Sequence, residues 1–345
     1  MALNASKDCF MRPVVAVPAK NEAERLPRLF RALARQSWLI SSHRPLHVVV
    51  VLNNCSDQSA EIAGMAATLY PSLDVNVIEV DFPRLQAHVG SARRLAMQRA
   101  QDAGGPGAVL FSTDADATPD PDWIKASLRA IRAGADIVGG HLVGDKIEEK
   151  MLGPAFNRRA AQHLKYAKLV DRLQSLFDPI DYDPWPRHCD HTGASIAVRA
   201  EVYRAVGGIP ALPFREDVAF VANAVGAGYR LRHAPDVRVG VSARLEGRAQ
   251  GGMADCLKAW VAAEAAGFPH LVESAESVCF RLHRRARTAK AKRAPSSSAA
   301  SKRLDLPCSL KRIAATRYSP TVEVETAIAQ LTEMIADHED AIRVA

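Results

Sequence analysis

The sequence predicts an α/β protein whose mostly parallel sheet is covered by helices on both faces. Strand-like and helix-like segments alternate four times between residues 12 and 134. The strand-like segments are short, continuous, Val-rich runs, as expected for parallel strands that are buried on both faces. Such alternation is typical of a parallel sheet whose crossover connections are helices.

Four apolar runs define the first strands in chain order. RPVVAVPA ends at Pro18, where a loop follows, and LHVVVVLNN, DVNVIEVD and GAVLFSTD are the next three runs. The carboxyl ends of parallel strands meet at one edge of a sheet, where ligands bind. Three polar clusters fall at these ends: Pro18–Glu22, Asn53–Asp57 and Asp114–Asp116.

The segments between the runs have helical periodicity. The first of them carries apolar residues on one helix face, at Leu26, Leu29, Phe30 and Leu33. Ser56 or Asp57 can cap the second helix, and HVGSARRLAMQRAQDAG forms the third. After the fourth strand, Asp120 and Asp122 are expected to serve the entry of the helix PDWIKASLRAIRAG.

The rest of the chain is expected to be partly helical, with two further strand and helix pairs. We place the domain boundaries at 1–255 for the α/β domain, 256–283 for a helical extension, 284–303 for a flexible basic linker and 304–345 for a C-terminal segment with an amphipathic helix. Pro320 opens that helix, whose apolar side should pack against the body of the protein or against a second copy in a homodimer.

Composition excludes several classes of protein. Hydrophobic residues make up 48% and charged residues 24%, without an apolar run of about 18 residues, so we expect a globular protein with no membrane-spanning helix. The N-terminus lacks a secretory signal pattern, and the six cysteines form no CxxC pair. Reduced thiols in the cytoplasm are therefore expected, without disulfides or a structural zinc site.

The net charge of +7 is concentrated in one segment. Residues 281–317 hold twelve Lys and Arg against one acid, so the remaining chain carries about −4. This distribution gives the body no nucleic-acid footprint. The basic segment is either a solvated linker or a contact with an anionic membrane surface, which would place the protein at the inner face of the membrane.

The stretch FSTDADATPDPDW crowds four aspartates directly after a strand. Asp114 and Asp116 are two residues apart, so their carboxylates can point the same way and share a hard cation with substrate phosphates. The alternative is an exposed, capped turn. The acidic pair Glu216–Asp217 opens a later helix and either interacts with the helix dipole or includes a catalytic base.

Two other stretches have both a functional and a structural interpretation. Arg244 and Arg248 lie in a Gly-containing loop that either clamps a diphosphate or is simply an exposed basic loop. HCDH at 188–191 lacks further matched ligands, so it does not by itself predict a zinc site. The chain contains neither a Walker-type loop nor a dinucleotide fingerprint.

Six motifs together resemble family 2 glycosyltransferases in their order and rough spacing. They are VVAVPAKNEAERL, VVVVLNNCSD, STDADATPDPDW, TGASIAVRAEVYRAVGG, REDVAFVANAVGAGY and SARLEGRAQGG, within residues 12–255. The resemblance implies the GT-A fold, a nucleotide-diphospho-sugar donor and transfer to an acceptor hydroxyl of a glycan, a lipid-linked molecule or a small molecule. The chain departs from the family at Asn53-Asn54, where many members have two acids.

The resemblance also implies roles for individual residues. Asp217 would be the catalytic base, with Glu216 beside it. Asp116 and Asp114 would hold Mn²⁺ or Mg²⁺ as a DXD motif. The nucleotide sugar would lie among Pro18, Ala19, Asn21, Glu22, Asn53, Asp57, Arg93 (or Arg94), Asp114, Ala115, Asp116, Gly193, Ala194, Arg244 and Arg248.

The implied activity is that of a metal-dependent, inverting glycosyltransferase of the hexosyltransferase type. Two other functions remain open. A nucleotidyltransferase would share a similar sheet but should carry a Gly- and Arg-rich loop after the first strand, which VPAKNEAERL does not provide. A catalytically silent scaffold of the same fold is compatible with Asn53-Asn54 but does not account for the intact Asp114, Asp116 and Asp217.

Overall fold

The computed structural model describes residues 11–248, 251–293 and 321–344. Its strands are β1 (Arg12–Ala19), β2 (Leu46–Asn53), β3 (Leu73–Val80), β4 (Ala108–Ser112), β5 (Thr118–Pro119), β6 (Ile137–Gly144), β7 (Ile196–Arg199), β8 (Leu231–Val241), β9 (Leu271–Glu273) and β10 (Thr321–Glu323). Its helices are α1 (Leu26–Ala34), α2 (Ser37–Ser42), α3 (Ser59–Leu69), α4 (Val89–Gly104), α5 (Trp123–Arg132), α6 (Lys146–Met151), α7 (Pro154–Phe177), α8 (Ala200–Ala205), α9 (Glu216–Gly226), α10 (Met253–Ala265), α11 (Ala275–Arg293) and α12 (Val324–Val344).

The chain forms two compact units, each assembled from separate stretches. Unit 1 contains the residues up to Met151 and His188–Ala259, and unit 2 contains Leu152–Arg187 and the residues from Trp260 onward. The boundaries therefore differ from the predicted domain at 1–255. The physical reason is that helix α7, in the middle of that range, packs its apolar side with α11 and α12 in the core of unit 2.

Unit 1 is built on an eight-stranded sheet with the order β3-β2-β1-β4-β7-β6-β8-β5. The pairs β3–β2, β2–β1, β1–β4 and β6–β8 are parallel. Strand β7 runs antiparallel to both of its neighbours, and β5 is antiparallel to β8. The predicted α/β class with a mostly parallel sheet is confirmed.

Helices cover both faces of this sheet, as the continuous apolar strands require. Along β1, Val15 and Val17 face a core that includes the predicted apolar side of α1, whereas Val14 and Ala16 face a second core with α4, α8 and α9. Successive side chains of a strand point to opposite faces. One Val-rich run therefore contributes to both cores, and its side chains are almost fully buried.

Unit 2 has its own apolar core of residues from α7, α11 and α12. In α12 the residues predicted on one helix side are all buried there: Val324, Ile328, Leu331 and Ile335. Helix α11 continues to Arg293, so residues 284–293 of the predicted linker are helical. The other linker residues, 294–303, and residues 304–320 with Pro320 lie outside the described part of the chain.

The described helices lie within residues 11–248, 251–293 and 321–344. Over these ranges, every helix is too short or too polar to span a bilayer.

Candidate active site at the carboxyl edge of the sheet

A cavity of about 520 Å³ lies in unit 1, where strands β2, β1 and β4 end side by side. The polar clusters that follow these strands meet there. Most of the predicted site residues line the cavity: Pro18, Ala19, Glu22, Asn53, Arg93, Asp114, Ala115, Asp116, Ala194, Glu216, Asp217, Arg244 and Arg248. Three predicted residues, Asn21, Asp57 and Gly193, lie next to the cavity without lining it.

Glu22, Asp116 and Arg244 form one charged group in the cavity. Both guanidinium terminal nitrogens of Arg244 donate to the carboxylate of Glu22, one of them over 2.8 Å. The Nη2 atom of Arg244 also lies 3.1 Å from Oδ2 of Asp116. The hydrogen bonds to Glu22 raise the pKa of Arg244, so this guanidinium stays charged and compensates two carboxylates at once.

Asp116 lies in an electrostatic environment that disfavours its charged form. Burial, together with the nearby carboxylates of Asp114 and Glu22, raises the pKa of Asp116 to about 6, although Arg244 opposes the shift. Burial is the largest cause of this shift, and repulsion from the two carboxylates adds to it. A cation beside Asp116 would therefore stabilise its charged form.

Arg93 is a buried part of the cavity wall and is held by four hydrogen bonds. Its Nε donates to Glu216 over 2.9 Å and its Nη2 to Asp114 over 2.8 Å. Its Nη1 donates to Ser112 Oγ and to the carbonyl oxygen of Gly193, each over 2.9 Å. Burial alone would lower the pKa of Arg93, but Asp114 and Glu216 outweigh this effect and raise it.

Gly193 is packed so closely against Arg93 that no side chain fits. A Cβ atom at this position would lie 2.3 Å from Cζ of Arg93. The same glycine donates its N–H to Asp217 Oδ2 over 2.6 Å and accepts from Arg93 through its carbonyl. Gly193 therefore connects the buried arginine with the carboxylate at the start of α9.

The acidic pair at the start of α9 is divided between two environments. The Glu216 side chain is 4% exposed and forms an ion pair with the buried guanidinium of Arg93. Asp217 accepts backbone N–H groups on both oxygens, from Gly193 on Oδ2 and from Val218 on Oδ1 over 2.7 Å. A carboxylate has about four lone-pair sites, so Asp217 can still accept a hydrogen bond from a ligand.

Asn21 and Asp57 hold together the loops that follow β1 and β2. The backbone N–H of Ser56 donates to Asn21 Oδ1 over 2.8 Å, and Asn21 has the left-handed φ of 52° that Asn tolerates. Asp57 accepts from the N–H groups of Ala23 and Ser59, each over 3.0 Å. Desolvation alone would raise the pKa of Asp57, but the hydrogen bonds together outweigh it and lower the pKa.

Two buried oxygen atoms at the cavity have no hydrogen-bond partner within the described residues. They are Oδ1 of Asn53 and Oγ1 of Thr192. The amide nitrogen of Asn53 donates to the carbonyl of His88 over 3.4 Å, which leaves the amide oxygen as the unused group. An unpaired buried polar atom is costly, so both oxygens are candidates for ligand contacts.

The two later aspartates of the acidic stretch lie away from the cavity lining. Asp122 occupies the N-cap position of α5, as the sequence predicts, but its side chain makes no capping hydrogen bond. It accepts instead from the hydroxyl of Ser37. Asp120 lies 3.6 Å from the guanidinium of Arg238. Both positions fit a structural role for this half of the stretch.

Several lining residues were not identified from the sequence. His88 precedes α4 and accepts from the N–H of Ser91, so it caps the helix while it lines the cavity. Phe214 and Arg215 come directly before the acidic pair, and Arg215 has a left-handed φ of 57°. The only sequence signal for Phe214 and Arg215 was their position next to Glu216. For Thr192, which also lines the cavity, it was the neighbouring Gly193.

The sequence matches the model of one known family. Residues 14–182 match the family model described as Glycosyl transferase family 2. Over this stretch the chain belongs to the family. The recognition of family 2 from the six sequence motifs is thereby confirmed, and the chain is a glycosyltransferase. No functionally curated protein matches the sequence.

Solved structures with similar folds include several glycosyltransferases. The TarS fragment 1-349 of S. aureus in complex with UDP is 16% identical, with a TM-score of 0.48 over 81% of this chain and 72% of that chain. The mannosyltransferase PcManGT from Pyrobaculum calidifontis, in complex with GDP-Man and Mn²⁺, is 19% identical, with a TM-score of 0.46 over 97% and 75%. Glucosyl-3-phosphoglycerate synthase from Mycobacterium tuberculosis, in complex with phosphoglyceric acid, is 15% identical, with a TM-score of 0.43 over 76% and 82%.

Proposed function

We propose that this family 2 member is a divalent-cation-dependent, inverting hexosyltransferase that moves a sugar from a nucleoside diphosphate to an acceptor hydroxyl. The observation that carries the proposal is that two groups of carboxylates, from distant parts of the chain, line one cavity. Glu22, Asp114 and Asp116 lie at the strand ends, and Asp217 lies at the start of α9. One group can hold a cation and a diphosphate while the other receives a proton.

The acidic group fits a hard cation such as Mn²⁺ or Mg²⁺. Burial and neighbouring carboxylates raise the pKa of Asp116 to about 6, so a bound cation would stabilise the charged form of this side chain. The side chains of Asp116 and Asp114 are 24% and 37% exposed and line the open cavity. These two residues would hold the ion, which would supply positive charge to balance the departing diphosphate.

The buried amide oxygen of Asn53 supports a role in reading the nucleotide base. It lines the cavity at the end of β2 and has no hydrogen-bond partner within the described residues. An amide oxygen accepts hydrogen bonds, so it can bind an N–H donor of the base, which is a ring N–H in uracil, thymine and guanine and an amino group in adenine. Asn21 and Asp57 would act indirectly, because they hold the two surrounding loops in place.

Arg244 and Arg248 are suited to bind the diphosphate. Both belong to the loop after β8, and the Nε of Arg248 donates to the carbonyl of Asn21 over 3.2 Å. The Arg244 guanidinium can bind a phosphate group in a bidentate manner once it is released from Glu22. We therefore expect the two arginines to contribute mainly to donor affinity.

Asp217 is the proposed general base. It would accept the proton of the acceptor hydroxyl as the oxygen attacks the anomeric carbon, and the bond between that carbon and the diphosphate breaks on the opposite face. The single displacement inverts the anomeric configuration. The hydrogen bonds from Gly193 and Val218 fix the carboxylate in position, and lone pairs remain for the hydroxyl.

The first test is calorimetric titration with UDP, GDP, dTDP and ADP in the presence of Mn²⁺. We expect tight binding of one of these nucleotides, with loss of binding in EDTA and in Asp116→Asn. Asp120→Asn is the matched control, because Asp120 belongs to the same acidic stretch but lies outside the cavity lining. If none of the nucleotides binds in a cation-dependent manner, the proposal is wrong.

The second test separates chemistry from binding. Asp217→Asn should retain nucleotide affinity within a few-fold but lower the rate of sugar transfer by about 10²–10⁴, the usual contribution of a general base. The product configuration can be read from the anomeric NMR signal. A product with retained configuration would contradict the single-displacement mechanism even if the donor binds as expected.

A further inference from the structure

A second group of potential metal ligands lies in unit 1, outside the cavity lining. His141 belongs to β6, and His188 and Asp190 belong to the loop before β7. Each offers one ligand atom, and these three atoms all lie within 4.8 Å of one another. The sequence motif HCDH contains two of the three residues, and the fold supplies the third from a distant strand.

The local backbone brings these side chains together. The pairing register between β6 and β8 shifts between Gly140 and His141, and such an irregularity redirects the side chains that follow it. The loop also packs directly on β6, because a Cβ at Gly139 would lie 2.4 Å from the carbonyl oxygen of Asp190. The position of the loop against the strand is therefore defined by close backbone contact.

The three donor atoms lie close together. Nδ1 of His141 lies 2.8 Å and Nδ1 of His188 lies 3.8 Å from Oδ2 of Asp190. The other ring nitrogen of His188 lies 3.3 Å from the carbonyl oxygen of Ala234, which can only accept a hydrogen bond. His188 therefore carries its proton on Nε2, and its Nδ1 accepts the backbone N–H of Asp190 over 3.0 Å, a hydrogen bond that a bound ion would have to replace.

We propose that His141, His188 and Asp190 form a binding site for a divalent transition metal of the zinc type, separate from the proposed cation site at Asp114 and Asp116. Two imidazoles and one carboxylate suit Zn²⁺ or Co²⁺ better than Mg²⁺. Tetrahedral bonds of about 2.0–2.1 Å place ligand atoms about 3.3 Å apart. The observed separations bracket this value, and water fills the fourth position.

The site is open enough to take up an ion from solution. The side chains of His141 and Asp190 are 24% and 37% exposed, whereas His188 is 9% exposed. Two ligands thus lie at the surface and one in the interior. The backbone N–H of Leu142 donates to Asp190 Oδ2 over 3.1 Å and holds the carboxylate in place.

A metal at this position would fix the loop that borders the proposed active site. Asp190 is followed closely by Thr192, which lines the cavity, and by Gly193, which contacts both Arg93 and Asp217. The ligands connect that loop to β6. We therefore assign the metal a structural role in holding the loop that positions Asp217, and its presence does not depend on the proposed transfer reaction.

The test is a Co²⁺ titration of the chelator-treated full chain in excess Mg²⁺, followed by visible absorption and calorimetry. Mg²⁺ occupies oxygen-only sites, so the additional Co²⁺ reports the imidazole site. We expect one equivalent with an intense d–d spectrum typical of four-coordinate Co²⁺, displaced by Zn²⁺. Asp190→Asn and His141→Asn should each weaken the affinity by roughly 100-fold, whereas Asp116→Asn should leave it unchanged.

His163→Gln is the matched control, because His163 also lies beside a second histidine, His270, at 3.4 Å, but belongs to unit 2. Cys189→Ser tests whether the neighbouring thiol is the real ligand. Both controls should bind Co²⁺ as the unaltered chain does. Zn²⁺ should also raise the melting temperature of the unaltered chain but not that of His141→Asn.

Three results would overturn the proposal. They are the absence of Co²⁺ binding in excess Mg²⁺, equal binding by the unaltered chain and both ligand variants, and loss of binding in Cys189→Ser. In the first case the three residues form only a hydrogen-bonded network. Failure of nucleotide binding with normal Co²⁺ binding would instead contradict the proposed function and leave this site intact.

Discussion

Replacing Glu216 by alanine is expected to destabilise unit 1 by about 3–5 kcal/mol, because the buried guanidinium of Arg93 loses its buried partner. Both side chains of this pair are 4% exposed, so little solvent can replace the missing carboxylate. The remaining charged partner, Asp114, is 37% exposed and compensates Arg93 less effectively. For a unit of this size the loss corresponds to a fall in melting temperature of roughly 6–20 °C.

Glu216→Gln should be milder, at about 1–2 kcal/mol, because the amide oxygen can still accept from Nε of Arg93 while the charge is lost. Glu201→Ala is the matched control. Glu201 also lies in the first turn of a helix, α8, but it is exposed, so its removal should cost no more than about 0.5 kcal/mol. Thermal and urea unfolding of the three variants, followed by circular dichroism, measure these differences.

This experiment separates two roles for Glu216. The sequence resemblance placed it beside the catalytic base, whereas the contacts of Glu216 indicate that it positions Arg93 and, through Arg93, Asp114 and Gly193. A positioning role predicts that stability and Mn²⁺ affinity fall together. The reasoning is refuted if Glu216→Ala unfolds like Glu201→Ala and yet loses sugar transfer by several orders of magnitude.

Three further predictions concern the cavity. Burial and nearby carboxylates raise the pKa of Asp116 to about 6. The affinity for Mn²⁺ should therefore be constant above pH 6 and fall about tenfold per pH unit below it. Calorimetry that shows constant affinity down to pH 5 would contradict the role of Asp116 as a metal ligand. Gly193→Ala should lower the free energy of unfolding by about 1–3 kcal/mol, because the new Cβ would displace Arg93. Gly64→Ala, in open space on α3, should be neutral or stabilising. Equal unfolding midpoints for the two variants would disprove the close packing at Gly193. Arg244→Met should bind Mn²⁺ several-fold more tightly, because the positive charge beside Glu22 and Asp116 is removed. The same variant should bind nucleoside diphosphate more weakly. Weaker binding of Mn²⁺ would instead show that Arg244 supports the cation site.

The features that the sequence predicts well are those determined by short stretches. The apolar runs become β1, β2 and β4 because nearly all their side chains are apolar, so both faces of each strand can be buried. The carboxyl ends of these strands bring Glu22, Asn53 and Asp114 to one cavity. No tertiary information is needed for that step beyond the parallel order of the strands. The single-domain boundary at 255 had no such basis, since α7 joins a core whose other helices follow much later in the chain.

The features that the sequence does not predict depend on contacts between distant residues. Arg93 and Glu216 are 123 positions apart, and neither motif indicates that both side chains turn inward. The same holds for His141 and Asp190, which are brought together by the register of β6.

The acidic pair shows why adjacency in sequence is insufficient. Successive residues of a helix point about 100° apart, so Glu216 and Asp217 cannot both face the same partner. Glu216 pairs with the buried Arg93, and Asp217 accepts from Gly193 at the cavity wall. Chemically similar carboxylates thereby acquire different environments from one turn of helix. The contacts of α9 with α4 and with the loop before β7 determine the direction of each side chain. That direction decides which of the two carboxylates can act on a ligand.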